Sequence, residues 1–325
     1  MPPAPEQDTG AILKEPTPMT RLTASPPASQ IGIDRRWVGV LFGLASALIW
    51  GAFPVVTRFG LTHTALDVYD ITCIRYTVSG VILLPFLVRR GLMGLRWTSI
   101  VLMTAGIGAP YMLVVAFGLG MAPVEQFAVV TPGSMILFSA LISAWGLGAR
   151  LSRRETAGIA LIIVGVALVG LHNFSTVRSS PWAYLIFLLG GLLWAVYTVS
   201  SKRFSASALH ATAIVSVFSM IIYLPAYLAT RGLHLLQAPL GDIGVQAFYQ
   251  GVMVSTVALF FFSKSVQILG AAAGATFAAL VPGAATLLAL LVLGERPSAT
   301  AVAGLAIVTG GMTAMLIRQR RSSSA

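Results

Sequence analysis

Charged side chains are scarce in this 325-residue chain, where they make up 10% of the residues. A typical soluble domain carries about 25% charged residues. Hydrophobic residues account for 57% of the chain, and the mean hydropathy is +0.87. Water cannot solvate so much apolar surface, so the composition excludes an ordinary soluble protein and indicates a protein embedded in a lipid bilayer.

Motifs for covalent, metal or nucleotide chemistry are missing. The only cysteine is Cys73, which excludes an intramolecular disulfide and a cysteine-based zinc site. The sequence has no phosphate-binding glycine loop, no paired-histidine zinc motif and no nucleophile elbow. We therefore predict no ATP-driven motor, no enzymatic activity, no metal and no cofactor.

Acidic residues are fewer than basic ones, at 10 against 21, which gives a net charge of +11. The basic residues lie between apolar runs, where they orient a chain and contact anionic lipid head groups, so we predict no nucleic-acid partner. Asp70 and Glu125 lie near the ends of apolar runs, and Glu295 lies in a predicted loop. A proton-coupled exporter of cationic drugs usually needs an acid inside the membrane. Export of a metabolite is therefore favoured over efflux of cations.

Apolar runs of about 20 residues, the length that a membrane-spanning helix needs, repeat from Trp37 onward. Residues 1–36 hold seven of the 17 prolines and are predicted to form a disordered tail. The fold class predicted is an all-α integral membrane protein with ten transmembrane helices. They are placed near 37–57, 69–88, 98–121, 124–148, 156–172, 182–201, 208–229, 244–265, 271–293 and 299–317.

The distribution of Arg and Lys predicts the orientation. With a cytoplasmic N-terminus, 13 basic residues fall on the inside and four on the outside, as the positive-inside rule requires. We therefore predict a multi-pass protein of the plasma (inner) membrane with both termini in the cytoplasm. The C-terminal residues 318–325 form a short basic cytoplasmic tail.

The two halves of the chain repeat each other. WGAFPVVTR (50–58) resembles WAVYTVSSK (194–202), and LGMAPVEQFAVVTPG (119–133) resembles LGAAAGATFAALVPG (269–283). We predict one five-helix repeat at 37–172 and a second at 181–317. Because five is odd, the second repeat must be inverted relative to the first, an arrangement typical of transporters.

These residues resemble the EamA type of the drug/metabolite transporter superfamily. The resemblance rests on Trp50-Gly51 with Pro54, on Arg75 with Arg89-Arg90, and on the run Leu293-Gly294-Glu295, and it covers about 37–317. It implies ten spans in two inverted halves and transport of small metabolites. One position departs from the family pattern, since Ala149 stands where the family usually has a Glu after the Leu-Gly that ends the fourth span.

Two cations inside predicted spans are candidate substrate-binding residues, because a cation in the bilayer is costly. Arg75 is predicted to meet a substrate carboxylate or phosphate, to reach outward to the interface, or to pair with Asp70 or Glu125. Lys264 is predicted to bind substrate or to reach the cytoplasmic interface with its long side chain.

Aromatic and hydroxyl residues on the cavity-lining spans are the other binding candidates. They can stack on a solute or hydrogen-bond it, or they can serve helix packing and interfacial belts. The candidates are Trp50, Tyr111, Thr131, Trp194 and Tyr197.

Prolines and small residues point to the mechanics of the bundle. Pro54, Pro132 and Pro282 each remove a backbone hydrogen bond and are predicted to bend for gating or to form static kinks. The small residues Gly39, Gly43, Ala47 and Gly51 are spaced four apart, which predicts a smooth helix face for close packing. This face does not require dimerisation, so a monomer suffices and the oligomeric state stays open.

Together these features predict a secondary transporter that moves small metabolites by alternating access, as an exporter of amino acids or related polar solutes. Its partners are a small-molecule solute and the lipid bilayer. The alternatives are an intramembrane enzyme acting on a lipid-linked substrate and a multipass sensor or binding subunit without transport.

Overall fold

Helices form wherever the sequence is apolar over a membrane's width. The computed structural model describes residues 33–147, 152–175, 180–204 and 207–316. Most of the predicted N-terminal tail, the C-terminal tail and Ala149 lie outside these residues. In the described part there are twelve α-helices, one 3₁₀-helix and one π-helix, and no strand.

The α-helices are numbered here in chain order. They are α1 (Ile33–His63), α2 (Val68–Arg90), α3 (Trp97–Ile107), α4 (Ala109–Met121), α5 (Val124–Leu147), α6 (Arg153–Ser175), α7 (Pro181–Phe204), α8 (Ala208–Arg231), α9 (Leu240–Gln246), α10 (Ala258–Leu269), α11 (Ala271–Leu293) and α12 (Ala299–Leu316). The 3₁₀-helix is His234–Gln237, and the π-helix, Ala247–Val257, joins α9 to α10.

The prediction of an all-helical membrane protein is confirmed. Eight helical stretches of the described chain are long and apolar enough to cross a membrane, and Ala299–Met315 is a shorter apolar helix. The span expected near 156–172 falls within α6. The count of ten spans stays a prediction.

Two predicted spans contain irregular backbone in their middle. The span Trp97–Met121, here called the broken span, is interrupted between α3 and α4 at Gly108. The span Leu240–Leu269, here called the π span, contains the π-helix. Hydrophobic length predicts neither irregularity, because it measures how far a segment reaches and not how its backbone is hydrogen-bonded.

The smooth face predicted on α1 is used for close packing. A Cβ atom added at Gly43 would lie 2.2 Å from the ring of Phe277, and one at Gly51 would lie 2.7 Å from the Cβ of Ala284. Both partners belong to α11. Only glycine lets these helices approach so closely.

Glycines also bring α6 against α12. A Cβ added at Gly165 would lie 2.9 Å from the carbonyl oxygen of Gly304, and one at Gly304 would lie 3.0 Å from that of Gly165. Gly158 and Gly311 face each other in the same way, at 2.9 and 2.8 Å. The two pairs make a backbone-to-backbone contact along both helices.

The remaining helices also pack in pairs that correspond between the two predicted repeats. α1 packs against α11 and α10, whereas α7 packs against α5, α3 and α4. α2 packs against α8 and the π-helix. α2, from the first predicted repeat, thus lies directly beside the π span of the second.

Candidate functional site

A buried hydrogen-bonded chain connects α1, α2 and the π-helix. The Nη1 of Arg75 donates to the Oε1 of Gln250 at 3.0 Å, and the Nε2 of Gln250 donates to the Oγ1 of Thr57 at 2.8 Å. Gln250 and Thr57 have no exposed surface, and Arg75 is half-buried. This chain is called the polar centre below.

The guanidinium of Arg75 forms no ion pair with a carboxylate of the described residues. Its nearest aromatic neighbours are Phe53, with the ring centroid at 4.9 Å, and Tyr76, at 5.7 Å. Its Nε has no hydrogen-bond partner among the described residues, and none of the ion pairs found there includes it. A guanidinium with unused donors can form strong hydrogen bonds to an anionic group.

The predicted partners of Arg75 are occupied elsewhere. Asp70 is almost fully buried and accepts hydrogen bonds from the Tyr227 hydroxyl and from the backbone N–H of Asp67. Glu125 accepts from the backbone N–H of Ser298 at 3.1 Å. The interpretation in which Arg75 pairs with Asp70 or Glu125 is therefore wrong for this conformation, in which its partner is an amide.

The π span is tied to α1 by three further hydrogen bonds. Tyr249 donates to the carbonyl of Ile49 at 2.7 Å, and Gln246 donates to the carbonyl of Val56 at 2.9 Å. The indole Nε1 of Trp50 donates to the carbonyl of Val254 at 3.4 Å. Trp50, a predicted binding residue, thus forms a hydrogen bond between α1 and the π span.

Two of the predicted aromatic candidates pack against each other. Tyr111, which is 4% exposed, packs edge-to-face on Trp194 with ring centroids 6.2 Å apart. The pair, made of two predicted binding residues, joins α4 to α7.

The break in the broken span is held open from α2 and α8. Tyr76 donates to the carbonyl of Ile107 at 2.7 Å, and the backbone N–H of Ala109 donates to Ser219 at 3.1 Å. Side chains thus satisfy backbone groups that the interruption removes from the helical ladder, as buried polar groups require.

The other candidates lie apart from the polar centre. Thr131 is fully buried and donates to the carbonyl of Phe187 at 3.1 Å, which joins α5 to α7. Tyr197 packs against the backbone of α3 at Gly106. The Nζ of Lys264 lies 5.7 Å from the ring of Phe260, which is 53% exposed. Both interpretations of Lys264 stay predictions.

The three predicted gating prolines lie inside helices. Pro54 is in α1, Pro132 in α5 and Pro282 in α11, and each helix continues through its proline. The carbonyl of Pro282 accepts a hydrogen bond from Thr286 at 3.1 Å. Gating at these positions stays a prediction.

A second charged network closes one end of the bundle. Arg58, at the end of α1, pairs with Glu295 and donates to the carbonyls of Leu119 and Ala122. The other carboxylate oxygen of Glu295 accepts from the backbone N–H of Val124 at 2.9 Å. This network, here called the Arg58 cluster, joins α1, α4, α5 and the segment after α11.

Another acidic group lies where α2 begins. Asp67 caps α2, receives a hydrogen bond from the N–H of Asp70 at 2.9 Å and pairs with Arg231. His234 lies 3.3 Å from Asp70. Ligand atoms of Asp67, Asp70 and His234 lie within 4.8 Å of one another, but all three are used in internal hydrogen bonds that fasten α2 to α8 and the following loop.

The sequence analysis did not single out the two buried glutamines of the π span. Gln246 and Gln250 lie inside a strongly apolar segment and are 1% and 0% exposed. A buried side-chain amide needs hydrogen-bond partners, so two glutamines one turn apart in a span were the available signal. Because glutamine is uncharged, a search for charged residues inside the spans does not find these two.

The fold and the polar centre define a multi-pass helical membrane protein, with polar side chains from separate spans meeting inside an apolar bundle. The chain belongs to the EamA-like transporter family, whose model matches residues 37–171 and 181–317. This membership confirms the resemblance found in the sequence and supports a role as a transporter.

Curated relatives carry transporter names. The chain is 30% identical over 173 residues to "Uncharacterized inner membrane transporter YedA" of Escherichia coli strain K12, covering 50% of this chain and 53% of that protein. The chain thus matches about half the length of this relative. It is 21% identical to an "Uncharacterized transporter" of Clostridium kluyveri, over 84% of this chain and 91% of that protein. An "Uncharacterized transporter" of Archaeoglobus fulgidus is 23% identical, over 81% of this chain and 92% of that protein.

A solved crystal structure shares the fold. It superposes with a TM-score of 0.54 at 22% identity, covering 87% of this chain and 98% of the other. At this identity the likeness concerns the fold alone.

Proposed function

We propose that the protein is a secondary transporter that exports amino acids or related polar solutes bearing a carboxylate. The observation that carries the proposal is Arg75, a half-buried guanidinium on α2 whose hydrogen-bond partner is the neutral amide of Gln250. A cation inside a membrane protein is costly and marks a substrate or ion pathway when no carboxylate neutralises it.

The surroundings of Arg75 suit a solute with a carboxylate. A guanidinium offers a planar set of donors that matches a carboxylate or phosphate in geometry. The N-terminus of α4 begins at the interruption of the broken span, and its partial positive charge favours an anionic group nearby. We propose that the aromatic pair of Tyr111 and Trp194 provides an apolar surface for the rest of the solute.

Alternating access is supported by irregular backbone at corresponding places in the two predicted repeats. The broken span and the π span are the third of the spans predicted in each five-helix half. Discontinuous helices that meet at a central site are a recurring feature of transporters built from inverted repeats, and π-helices are frequent at functional sites. We therefore propose that residues 37–172 and 181–317 are two inverted halves that move relative to each other.

Uptake into proteoliposomes tests this function. Purified protein would be reconstituted and offered labelled amino acids, sugars and organic cations, alongside the variants Arg75→Ala, Arg75→Lys and Arg90→Ala. We expect saturable transport of carboxylate solutes, strongly reduced in Arg75→Ala and partly retained in Arg75→Lys. Arg90→Ala, at the exposed end of the same helix, is the matched control and should transport normally.

The alternatives give different results in the same experiment. A binding or sensory subunit would retain a ligand without moving it across the bilayer, and an enzyme would return a chemically altered solute. Normal carboxylate transport by Arg75→Ala would refute the assignment of Arg75 to the site. The direction of transport follows from comparing solutes loaded inside with solutes added outside, in vesicles of known protein orientation.

A further inference from the structure

Gln250 holds Arg75 with a fixed orientation of its amide. The Thr57 hydroxyl donates its hydrogen to the carbonyl of Phe53 at 2.8 Å. It therefore accepts from Gln250, whose Nε2 lies 2.8 Å away. The amide oxygen must then point toward Arg75, which donates to it at 3.0 Å. A complete donor and acceptor chain assigns the amide without ambiguity.

The surrounding helix makes this amide hard to displace. Gln250 is fully buried in the π-helix, and its backbone carbonyl accepts a hydrogen bond from the Ser255 hydroxyl at 3.0 Å. Gln246, one turn earlier, fastens the same segment to α1. A side chain enclosed in this way loses little rotamer freedom when it bonds, so it can aim its partner precisely.

A neutral amide at this position orients Arg75 and leaves its positive charge in place, whereas a carboxylate would neutralise that charge. Glutamate has nearly the same size and would also bond to Arg75, but it would neutralise the guanidinium and occupy its donors. With an amide, one Arg75 nitrogen is anchored while the charge and Nε stay uncommitted. The structure thus separates positioning of the cation from compensation of its charge.

We propose that Gln250 is the positioning residue that makes this site selective for solutes with an anionic carboxylate, because it orients Arg75 through a neutral acceptor. This inference rests on the proposed function, in which Arg75 binds the solute. It predicts that the charge of residue 250, rather than its volume, determines whether carboxylate solutes are preferred over their neutral analogues.

The test compares Gln250→Glu, Gln250→Met and the control Arg90→Ala with the unaltered protein. Each is reconstituted and assayed for transport of the amino acids in the uptake panel and of their carboxamides, with KM and maximal rate measured separately. Thermal unfolding in detergent and size-exclusion chromatography establish that each variant is folded. Arg75→Ala is carried in parallel.

Gln250→Glu should raise KM for the carboxylate solutes by at least about tenfold, the loss expected for one hydrogen bond to a charged group. Its KM for the carboxamides should change much less, so the preference for the carboxylate disappears. Gln250→Met should raise KM while keeping part of that preference, because it releases Arg75 without neutralising it. Arg90→Ala, at the exposed end of α2, is the control and should remain near normal.

The outcomes separate this inference from the function beneath it. A folded Gln250→Glu protein that keeps the normal KM and preference overturns the role of Gln250, even when Arg75→Ala is inactive. Equal losses in Gln250→Glu and Gln250→Met for both solute classes would also overturn it, since they indicate a purely structural residue. If Arg75→Ala transports normally, or no carboxylate solute is moved, the proposed function fails and this inference fails with it.

Discussion

Arg58 and Glu295 form an ion pair between residues 237 positions apart in the chain. Both side chains are 18% exposed. The pair also bonds to the backbone where α4 ends and where α5 begins. At the corresponding place after Trp194, Lys202 is exposed. The Arg58 cluster therefore fastens one end of the bundle in a way that Lys202 does not fasten the other.

Breaking this pair should open the Arg58 end. Glu295→Ala removes one partner of a partly buried pair, which costs about 1 kcal/mol or somewhat more, or about five- to tenfold in the population of an open state. The measurement is the labelling rate of Ala122→Cys, placed in a Cys73→Ser background, with a membrane-impermeant maleimide. Ala122 is 1% exposed, so labelling requires opening.

Lys202→Ala is the control for this experiment. Lys202 follows Trp194 by the interval that separates Arg58 from Trp50, but it is exposed, so its removal should leave the labelling rate unchanged. Identical labelling in Glu295→Ala and Lys202→Ala would mean that the Arg58 cluster does not hold this end closed.

The contact between α6 and α12 should not tolerate a methyl group. Gly304→Ala would place a Cβ 2.5 Å from Val169 and 3.0 Å from the carbonyl of Gly165, and overpacking of this kind costs about 1–3 kcal/mol. Gly310, on the same helix, has nothing within 4 Å of such a Cβ. Thermal unfolding in detergent should show a lower midpoint for Gly304→Ala and an unchanged or higher one for Gly310→Ala. An equal effect of the two would argue against this close contact.

Trp194 should contribute to binding through its ring. Trp194→Ala removes the ring that we propose contacts the solute, and an aromatic contact of this kind is worth about 0.5–1.5 kcal/mol, so KM should rise by about threefold to tenfold with little change in maximal rate. Trp194→Phe keeps an aromatic ring and should stay closer to normal. Trp182, which is 68% exposed on the same helix, supplies the control Trp182→Ala. Comparable losses in both alanine variants would indicate a general effect of tryptophan removal.

The proline pair should affect the rate of transport more than affinity. Pro132→Ala and Pro282→Ala restore a backbone N–H and stiffen α5 and α11, so maximal rate should fall by about fivefold while KM changes little. Pro85, which lies in α2 near an exposed end, gives the control Pro85→Ala. Unchanged rates in the first two variants would leave these prolines as static features.

The orientation rests on charge and can be tested directly. An epitope placed after Ala325 should be protected in intact cells and become accessible after permeabilisation, because the basic loops are predicted to lie in the cytoplasm. Accessibility of that epitope in intact cells would reverse the assignment.

Local signals made most of the fold predictable. Hydrophobic length located the spans, although α1 continues to His63 rather than ending near residue 57. The residues beyond 57 include Arg58, whose side chain donates to a carbonyl inside the bundle. Because its polar group is bonded there, the helix can continue beyond the apolar segment. Glycine spacing correctly predicted close packing on α1. These features depend on residues that are near each other in sequence, so a pattern reveals them.

The polar centre was only half predictable. Arg75 was recognisable because a cation in a span needs an explanation, but its partner Gln250 lies 175 positions away. The bond depends on how α2 packs against the π-helix, and no local pattern encodes that packing. For the same reason the sequence offered Asp70 as a partner, whereas the fold turns Asp70 toward α8.

Arg75 and Tyr76 are consecutive on α2, yet the first bonds to the π span and the second to the interruption of the broken span. Two adjacent residues of α2 thus bond this helix to both irregular spans. If either segment straightened into regular helix, α2 would have to shift and pull on the other. In the proposed transporter, a solute bound at Arg75 would therefore act on both irregular spans at the same time.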